Sequence, residues 1–198
     1  MVWRNDQVSK VETEKILEIA RESLKTEGDF VELGCYKGDT SLLLAEVLVG
    51  FDKRLWIYDS FEGLPEKGEA DLSVVGEDFK AGELFVTKRE VKERFLRSNL
   101  PVPVIKKAWF NELSAEDLPS VVALAFLDGD FYESIVDSLK LVWARMADGG
   151  KIIVHDYGSS ALPGVAKAVD EWLVGSGAKQ SARKFQTEKY QSLLIISF

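Results

Sequence analysis

The sequence predicts a single α/β domain over residues 1–198, built on a doubly wound, mostly parallel seven-stranded sheet with an antiparallel C-terminal strand. Short apolar segments alternate with amphipathic segments along most of the chain, which is typical of a parallel sheet covered by helices on both faces. The last two apolar segments follow each other without a helix between them, which indicates an antiparallel pair. A chain of 198 residues is long enough to bury a core of its own.

Seven segments have the apolar character and the short length of strands. Five of them alternate with helical segments, and the last two form the tail. The predicted strands are Asp29–Leu33, Leu55–Tyr58, Val104–Lys106, Val121–Leu127, Lys151–Val154, Arg183–Lys189 and Ser192–Phe198.

Five other segments repeat apolar residues at helical spacing. The first is an N-terminal helix over about residues 9–25, which we expect to cap the domain, and the last begins at a proline, a residue favoured in a first helical turn. The predicted helical segments are Val11–Lys25, Thr40–Val49, Glu83–Leu100, Tyr132–Met146, with Gly149 and Gly150 as its stop, and the segment from Pro163. The connection from Ser60 to about Lys80 is long for a compact domain, which favours a functional loop.

Composition excludes several classes of partner. Acidic residues outnumber basic ones by 33 to 25, and the resulting charge of -8 would repel a phosphate backbone, so we expect no nucleic-acid partner. No apolar run approaches the length of a membrane helix, and the N-terminus lacks the pattern of a signal peptide. The single cysteine, Cys35, permits no internal disulfide and favours the cytoplasm. A homo-oligomer and a monomer both remain open.

A glycine loop follows the first strand. Gly34 and Gly38 allow a ligand to approach bare backbone before the next helix, but Tyr36 replaces the middle glycine that pyrophosphate binding requires. The N-terminus of the helix favours a carboxylate, and Glu32 could accept a hydrogen bond from an ammonium group. The pattern therefore favours a cofactor with a methionine-like tail, with a simple connecting turn as the alternative.

Asp59 ends the second strand. A carboxylate there can accept hydrogen bonds from two ribose hydroxyls. The alternative is a turn-forming aspartate before Ser60. Because the glycine loop and Asp59 are separated by one helix and one strand, we expect them to act together.

Acidic residues and the single histidine follow the fourth and fifth strands: Asp128, Asp130, His155 and Asp156. Neighbouring strands would bring them together, and carboxylates with one imidazole form a plausible divalent-metal site. The alternatives are a hydrogen-bonded histidine and an aspartate that caps the next helix. The aromatic residues Trp109, Phe110, Phe131 and Tyr132 could enclose an adenine or belong to the core, whereas Phe95, Trp143 and Trp172 are assigned to the core.

These motifs together resemble the macrocin O-methyltransferase family, whose members methylate sugar hydroxyls of natural products. The resemblance extends from about Asp29 to Trp172, with the motifs in the family's order. The similar segments are VELGCYKG (31–38), YDSFEGLP (58–65), AWF (108–110), LDGDFYES (127–134), HDYG (155–158) and GVAKAVDEW (164–172).

The resemblance implies a Rossmann-like enzyme that uses S-adenosylmethionine, a divalent metal such as Mg²⁺ or Mn²⁺, and a small-molecule acceptor. It implies that Asp128 also contacts the cofactor and that Asp130 is the general base. The implied cofactor residues are Glu32, Gly34, Tyr36, Gly38 and Thr40, with Asp59 on the ribose and Ser60, Ala108 and Trp109 near the adenine. The implied metal ligands are Asp128, His155 and Asp156.

The chain departs from the family at two positions. His155 stands where an acidic residue is usual, which would move metal preference towards manganese, cobalt or zinc, or mark the loss of the metal. Ile135 stands where threonine is common. The chain is also shorter than typical members, so part of the acceptor-binding lid is expected to be missing or trimmed.

Two other functions fit the same residues. A non-catalytic, regulatory S-adenosylmethionine-binding protein would keep the fold without turnover. A hydrolase would pair His155 with Ser159 or Ser160, but the sequence contains no nucleophile elbow and shows no acid to orient the histidine.

Overall fold

A computed structural model describes residues 7–75, 79–176, 182–188 and 191–198. In this part of the chain, five α-helices are interspersed with the first five strands, and a pair of strands follows the last helix. The strands are β1 Asp29–Leu33, β2 Leu55–Asp59, β3 Val104–Lys107, β4 Val122–Leu127, β5 Met146–Val154, β6 Ala182–Glu188 and β7 Gln191–Ser197. The helices are α1 Lys10–Ser23, α2 Asp39–Leu48, α3 Lys88–Arg97, α4 Tyr132–Trp143 and α5 Pro163–Ser176.

The seven strands form one sheet in the order β3-β2-β1-β4-β5-β7-β6. Strands β1 to β5 are parallel to one another, β7 is antiparallel to β5, and β6 is antiparallel to β7. The predicted fold class is confirmed, including the antiparallel C-terminal strand. The strand order reverses between β1 and β4, the point in such a sheet where ligands bind.

Apolar side chains cover both faces of the sheet. Strand β4 lies at its centre and is buried along its whole length. One face packs against α1, α2 and α3, and the other against α4 and α5. Phe95 is fully buried, as predicted, while Trp143 and Trp172 are partly buried and pack edge to face at 5.5 Å between ring centres.

Helix α3 begins five residues after the predicted start. Residues Glu83 and Leu84 belong instead to a turn, in which Leu84 has a φ of 59° and the Glu83 carbonyl accepts from the Leu64 amide at 2.8 Å. The helix begins after Thr87, whose side chain and backbone form a capping box with Glu90. This Thr-x-x-Glu spacing is a start signal that helical periodicity alone did not reveal.

The boundary between α4 and β5 also differs from the prediction. The helix ends at Trp143 rather than Met146, and β5 begins at Met146, before the glycine pair that was expected to end the helix. The Arg145 carbonyl accepts from the Val122 amide at 2.7 Å, so the chain joins β4 immediately after the helix. Pairing with a neighbouring strand therefore decides this boundary.

The other elements agree with the predicted segments to within two residues at each end. Lys189, the predicted last residue of the sixth strand, lies outside the described residues. None of the helices in the described segments combines the length and apolar character needed to cross a bilayer.

Candidate functional site

One cavity lies at the carboxyl ends of β1, β2, β4 and β5, at the reversal of strand order. Most of the residues singled out from the sequence line it: Gly34, Tyr36, Asp59, Ser60, Ala108, Trp109, Asp128, Asp130, His155 and Asp156. Glu32, Gly38 and Thr40 are not among its lining residues. The topology thus brings residues from four strand ends to one place.

The glycine loop is shaped by the close approach of two strand ends. Gly34 has a φ of +87°, and a Cβ atom there would lie 2.0 Å from the carbonyl oxygen of Asp128. A side chain at this position would therefore push β1 away from β4. Gly38, with a φ of +79°, stands at the N-terminus of α2, so backbone amides of this helix face the loop without a side-chain cap.

Asp59 holds the same loop through hydrogen bonds. Its Oδ2 atom accepts from the amides of Cys35 at 2.9 Å and Tyr36 at 3.3 Å, and its Oδ1 atom accepts from the amide of Phe61 at 2.7 Å. Both the turn and the glycine loop therefore depend on this carboxylate. Because each carboxylate oxygen can accept more than one hydrogen bond, Asp59 retains acceptor capacity towards the cavity it lines.

Backbone strain is concentrated around the cavity. Six non-glycine residues in the described segments have a positive φ, and four of them line the cavity: Tyr36, Leu84, Asp130 and Asp156. Such conformations cost on the order of 1–3 kcal/mol each and persist where the surroundings over-determine them. This concentration supports a binding or reactive role for the cavity.

Glu32 is a buried carboxyl group on β1. It is 1% exposed, and its Oε2 atom has no hydrogen-bond partner in the described part of the chain. Burial, together with the charges of Asp128 and Asp59, raises its pKa from 4.5 to about 8. Near neutral pH the folded protein therefore retains a proton that the unfolded chain has released.

This difference predicts a pH-dependent loss of stability. Between about pH 4.5 and 8 the folded state binds the extra proton, so the free energy of unfolding should fall as pH rises, by at most about 1.4 kcal/mol per pH unit. Glu32→Gln should remove this slope, so its stability relative to wild type should be greater at pH 8.5 than at pH 5. Denaturant unfolding at several pH values measures the free energy of unfolding of both proteins, with a variant of an exposed glutamate, Glu27→Gln, as control. Parallel pH curves for wild type and Glu32→Gln would contradict the assignment.

His155 lies at the centre of the acidic cluster. It is 4% exposed, and its Nδ1 atom lies 2.8 Å from Asp128 Oδ1 and 3.0 Å from Asp156 Oδ2. Its Nε2 atom faces Glu12 of α1, with 3.8 Å between Nε2 and Oε2. Both ring nitrogens are thus directed at carboxylates.

The charges of the cluster shift its pKa values. Burial alone would lower the pKa of His155, but Asp156 and Asp128 outweigh this and raise it well above its usual range. Burial raises the pKa of Glu12, yet hydrogen bonds and the charge of His155 bring it down to about 2. Burial and the charges of Asp128 and Asp156 raise the pKa of Asp130 well above its usual range. Once deprotonated, Asp130 is therefore a stronger base than an ordinary aspartate.

A metal ion fits the same atoms. Asp128, His155 and Asp156 each offer one potential metal-ligand atom, and these three atoms lie within 4.8 Å of one another. Adjacent ligands of an octahedral ion with bonds of about 2.1 Å stand about 3 Å apart, close to the spacing of Nδ1 from the two carboxylates. A metal on Nδ1 requires loss of its proton, so protonation and metal binding compete there.

The aromatic residues divide between cavity and core. Trp109 and Phe110 line the cavity, while Phe131 is 1% exposed and belongs to the core. Tyr132 is partly buried and donates its hydroxyl hydrogen to Glu171 at 2.6 Å. The first two therefore remain available to a ring-shaped ligand.

The hydrolase arrangement is disfavoured by the same contacts. Asp128 and Asp156 do lie beside His155 and could orient its imidazole, although the sequence showed no acid assigned to that role. However, Nδ1 contacts these carboxylates and Nε2 has no hydrogen-bond partner, so no serine hydroxyl is bonded to the imidazole within the described segments. Ser159 and Ser160 are therefore not paired with it.

Sequence reasoning missed several residues of the site. Glu12 and the cavity-lining Gln7 belong to the N-terminal segment, and Leu84 also lines the cavity. No motif marks Gln7 or Leu84, because only packing brings them to the sheet edge. For Glu12 a signal did exist: its spacing from Ser9 is that of a capping box.

Asp71 is a further residue that the sequence did not single out. It is 2% exposed and accepts a hydrogen bond from the Tyr132 amide at 2.7 Å, so the long loop after β2 supplies the cap of α4. A Cβ atom at Gly164 would lie 1.8 Å from Asp71 Oδ1, so the glycine at the start of α5 makes room for this carboxylate. The loop is thereby attached to two helices beside the cavity.

A family model for macrocin-O-methyltransferases (TylF) matches residues 7–185. The chain belongs to the macrocin-O-methyltransferase family. The match covers every strand end that contributes to the cavity and also α1, with Glu12.

Curated relatives and a solved structure agree with this membership. The chain is 34% identical over 143 residues to 8-demethyl-8-(2,3-dimethoxy-alpha-L-rhamnosyl)-tetracenomycin-C 4'-O-methyltransferase of Streptomyces olivaceus, covering 68% of this chain and 54% of that protein. It is 31% identical over 161 residues to demethyldecarbamoylnovobiocin O-methyltransferase of Streptomyces niveus, covering 73% and 58%. The structure of the O-methyltransferase NovP superposes with a TM-score of 0.73 at 25% identity, covering 92% of this chain and 79% of that one.

The chain spans little more than half the length of these two curated relatives. Membership of the macrocin-O-methyltransferase family is consistent with the fold and with the arrangement of its strand ends. The alignments with these two relatives cover only part of their length.

Proposed function

We propose that this chain is an S-adenosylmethionine-dependent O-methyltransferase that acts on a hydroxyl of a small molecule, such as a sugar or another natural-product alcohol, with the assistance of a divalent metal. The observation that carries this proposal is the shared cavity. The glycine loop and Asp59 form one part of its wall, and the cluster of Asp128, His155 and Asp156 forms another. A methyl donor and a hydroxyl acceptor could therefore meet between them.

The residues around the glycine loop support the cofactor assignment. The N-terminus of α2, which Gly38 leaves without a side-chain cap, favours the carboxylate of a methionine-like tail, and buried Glu32 would pair with the ammonium group of that tail. Asp59 would accept from the ribose hydroxyls, with Ser60, Ala108 and Trp109 near the adenine. We propose the same region for Thr40 and for Asp128, which borders both halves of the cavity.

The cluster supports the acceptor chemistry. Bound by Asp128, His155 and Asp156, a divalent ion would supply Lewis-acid chemistry that lowers the pKa of a coordinated hydroxyl. Asp130 lines the cavity beside them and would take the hydroxyl proton, a role that suits its raised pKa. The new O–C bond forms as the C–S bond breaks. The electron pair of the C–S bond stays on sulfur, which becomes a neutral thioether. The walls of the cavity would hold the two reactants in line.

The named relatives favour a glycoside or a related natural product as the acceptor. The Streptomyces olivaceus protein is named as a 4'-O-methyltransferase of a rhamnosyl tetracenomycin, and the Streptomyces niveus protein as an O-methyltransferase of a novobiocin precursor. The net charge of -8 supports a small-molecule partner rather than nucleic acid. We include in this proposal the single domain and the cytoplasmic location predicted from the sequence.

Isothermal titration with S-adenosylhomocysteine, with and without Mn²⁺ or Mg²⁺, tests the proposal. We expect micromolar affinity for S-adenosylhomocysteine and a separate metal signal that His155→Ala removes. Absence of S-adenosylhomocysteine binding under all conditions would refute the cofactor assignment. A metal signal that survives in His155→Ala would remove His155 from the ligand set.

Turnover distinguishes the enzyme from a non-catalytic binding protein of the same fold. Formation of S-adenosylhomocysteine is measured with a panel of rhamnosides, other glycosides and phenols. Acceptor-dependent formation establishes a methyltransferase. Micromolar binding without formation on any acceptor would favour the regulatory alternative.

A further inference from the structure

Glu12 is a buried carboxylate that the cofactor and acceptor assignments leave without a role. It is 0% exposed and lies in the first turn of α1, on the side of the helix that packs into the protein. A fully buried glutamate requires compensation by a partner. His155 faces this carboxylate, with 3.8 Å between Oε2 and Nε2.

The cap of α1 holds the Glu12 carboxylate in place. Its Oε2 atom accepts from the Ser9 amide at 3.0 Å, while the Ser9 hydroxyl accepts from the Glu12 amide at 3.3 Å. This reciprocal pair is a capping box, which fixes the glutamate rotamer as it begins the helix. The carboxylate therefore reaches His155 from a rigid element.

His155 presents its two nitrogens to different sides. Nδ1 faces the carboxylates of Asp128 and Asp156, whereas buried Nε2 faces Glu12 and has no hydrogen-bond partner among the residues that the structure describes. A metal-bound histidine needs one nitrogen free of a proton and usually donates its other N–H to a carboxylate, which sets the tautomer and the ring orientation. Glu12 occupies the position from which it can accept from Nε2.

We infer that Glu12 is a positioning residue that holds the proton of His155 on Nε2 and leaves the Nδ1 lone pair for the divalent metal, an inference that rests on the proposed metal site. The two atoms stand 3.8 Å apart, so the inference requires Glu12 and the imidazole to come within hydrogen-bond distance in the metal-bound protein. The N-terminal helix thus belongs to the metal site, and its function goes beyond covering the sheet. The histidine in place of an acidic ligand and the buried glutamate behind it form one unit.

Metal affinity tests this role directly. Co²⁺ is titrated into wild type, Glu12→Gln and Glu14→Gln. Binding is monitored by calorimetry and by the visible absorption of the bound ion. Glutamine at this position preserves a capping box, and Glu14 is an exposed glutamate on the same helix. We expect Glu12→Gln to weaken Co²⁺ binding about 10- to 100-fold and Glu14→Gln to leave it unchanged. Affinity of Glu12→Gln within threefold of wild type would overturn the inference.

A double variant distinguishes a role of Glu12 in positioning the imidazole from a general effect of Glu12 on the fold. A carboxylate ligand has no second nitrogen to orient, so Glu12→Gln should lose its effect on Co²⁺ affinity when His155→Glu is also present. An equal loss in both backgrounds would mean that Glu12 acts through the fold and would overturn its role on the imidazole.

Because His155 is the only histidine, nitrogen NMR reads its state without ambiguity. In the Zn²⁺-loaded protein we expect the metal on Nδ1 and the proton on Nε2, and the reverse would overturn the inference. If wild type binds no metal yet binds S-adenosylhomocysteine, the metal site and the role of Glu12 both fail while the cofactor assignment stands.

Discussion

Asp130→Asn is expected to lower turnover by about 10²- to 10⁴-fold while leaving affinity for S-adenosylhomocysteine within a few-fold of wild type. The amide cannot take a proton from the acceptor hydroxyl, but it nearly preserves the shape of the side chain. Asp130 has a strained φ of 59° and a raised pKa, and its position in the cavity places it beside the three potential metal ligands. Removing it should therefore affect chemistry more than binding.

Initial rates and calorimetry on the same preparation measure this separation. Asp148→Asn is a matched control, since Asp148 is exposed near the start of β5, at the edge of the sheet opposite the cavity. Wild-type rates in Asp130→Asn would remove the base role. An equal loss of turnover and of S-adenosylhomocysteine affinity would assign Asp130 to binding.

Asp59→Ala is expected to weaken S-adenosylhomocysteine binding by about 100-fold or more. Hydrogen bonds to a charged group contribute about 1.5–3 kcal/mol each, and about 1.4 kcal/mol corresponds to a factor of ten in affinity. Two lost bonds to ribose hydroxyls therefore account for about 100-fold. The amides of Cys35, Tyr36 and Phe61 would lose their acceptor as well, so the glycine loop should also lose order.

Two further variants keep this result interpretable. Asp59→Asn retains one acceptor oxygen and should bind with intermediate affinity, even where Asp59→Ala fails to fold. Asp52→Ala changes an exposed aspartate just before β2 and should bind as wild type does. Unchanged affinity in a folded Asp59→Ala protein would exclude the ribose role and leave Asp59 as the structural support of the loop.

Most of the fold could be predicted because its signals are local. The alternation of apolar segments and amphipathic helices identified the seven strands and five α-helices of the described segments, and Pro163 marked the start of α5 correctly. The boundaries of α3 and of β5 could not be placed in this way. Leu84 is diverted into the turn that closes the long loop, and Arg145 is already paired with β4. Both are decided by partners distant in sequence.

The candidate site divides along the same line. Asp59, Asp128 and His155 follow strands, and parallel strands deliver their carboxyl ends to one edge, so sequence order was enough to bring them together. Glu32 was noticed for its place before Gly34, but it proved to be buried outside the cavity lining, with a raised pKa. Whether it meets an ammonium group stays a prediction for titration to test.

The sequence by itself determined the fold class, the family and the residues that stand at the strand ends, because each depends on periodicity, strand order or a contiguous motif. Only the tertiary structure decided what surrounds those residues. It placed Glu12 behind His155, Asp71 at the start of α4 and the Asp128 carbonyl against Gly34. These contacts join elements far apart in the chain, and burial, which removes water as an alternative partner, makes each of them necessary.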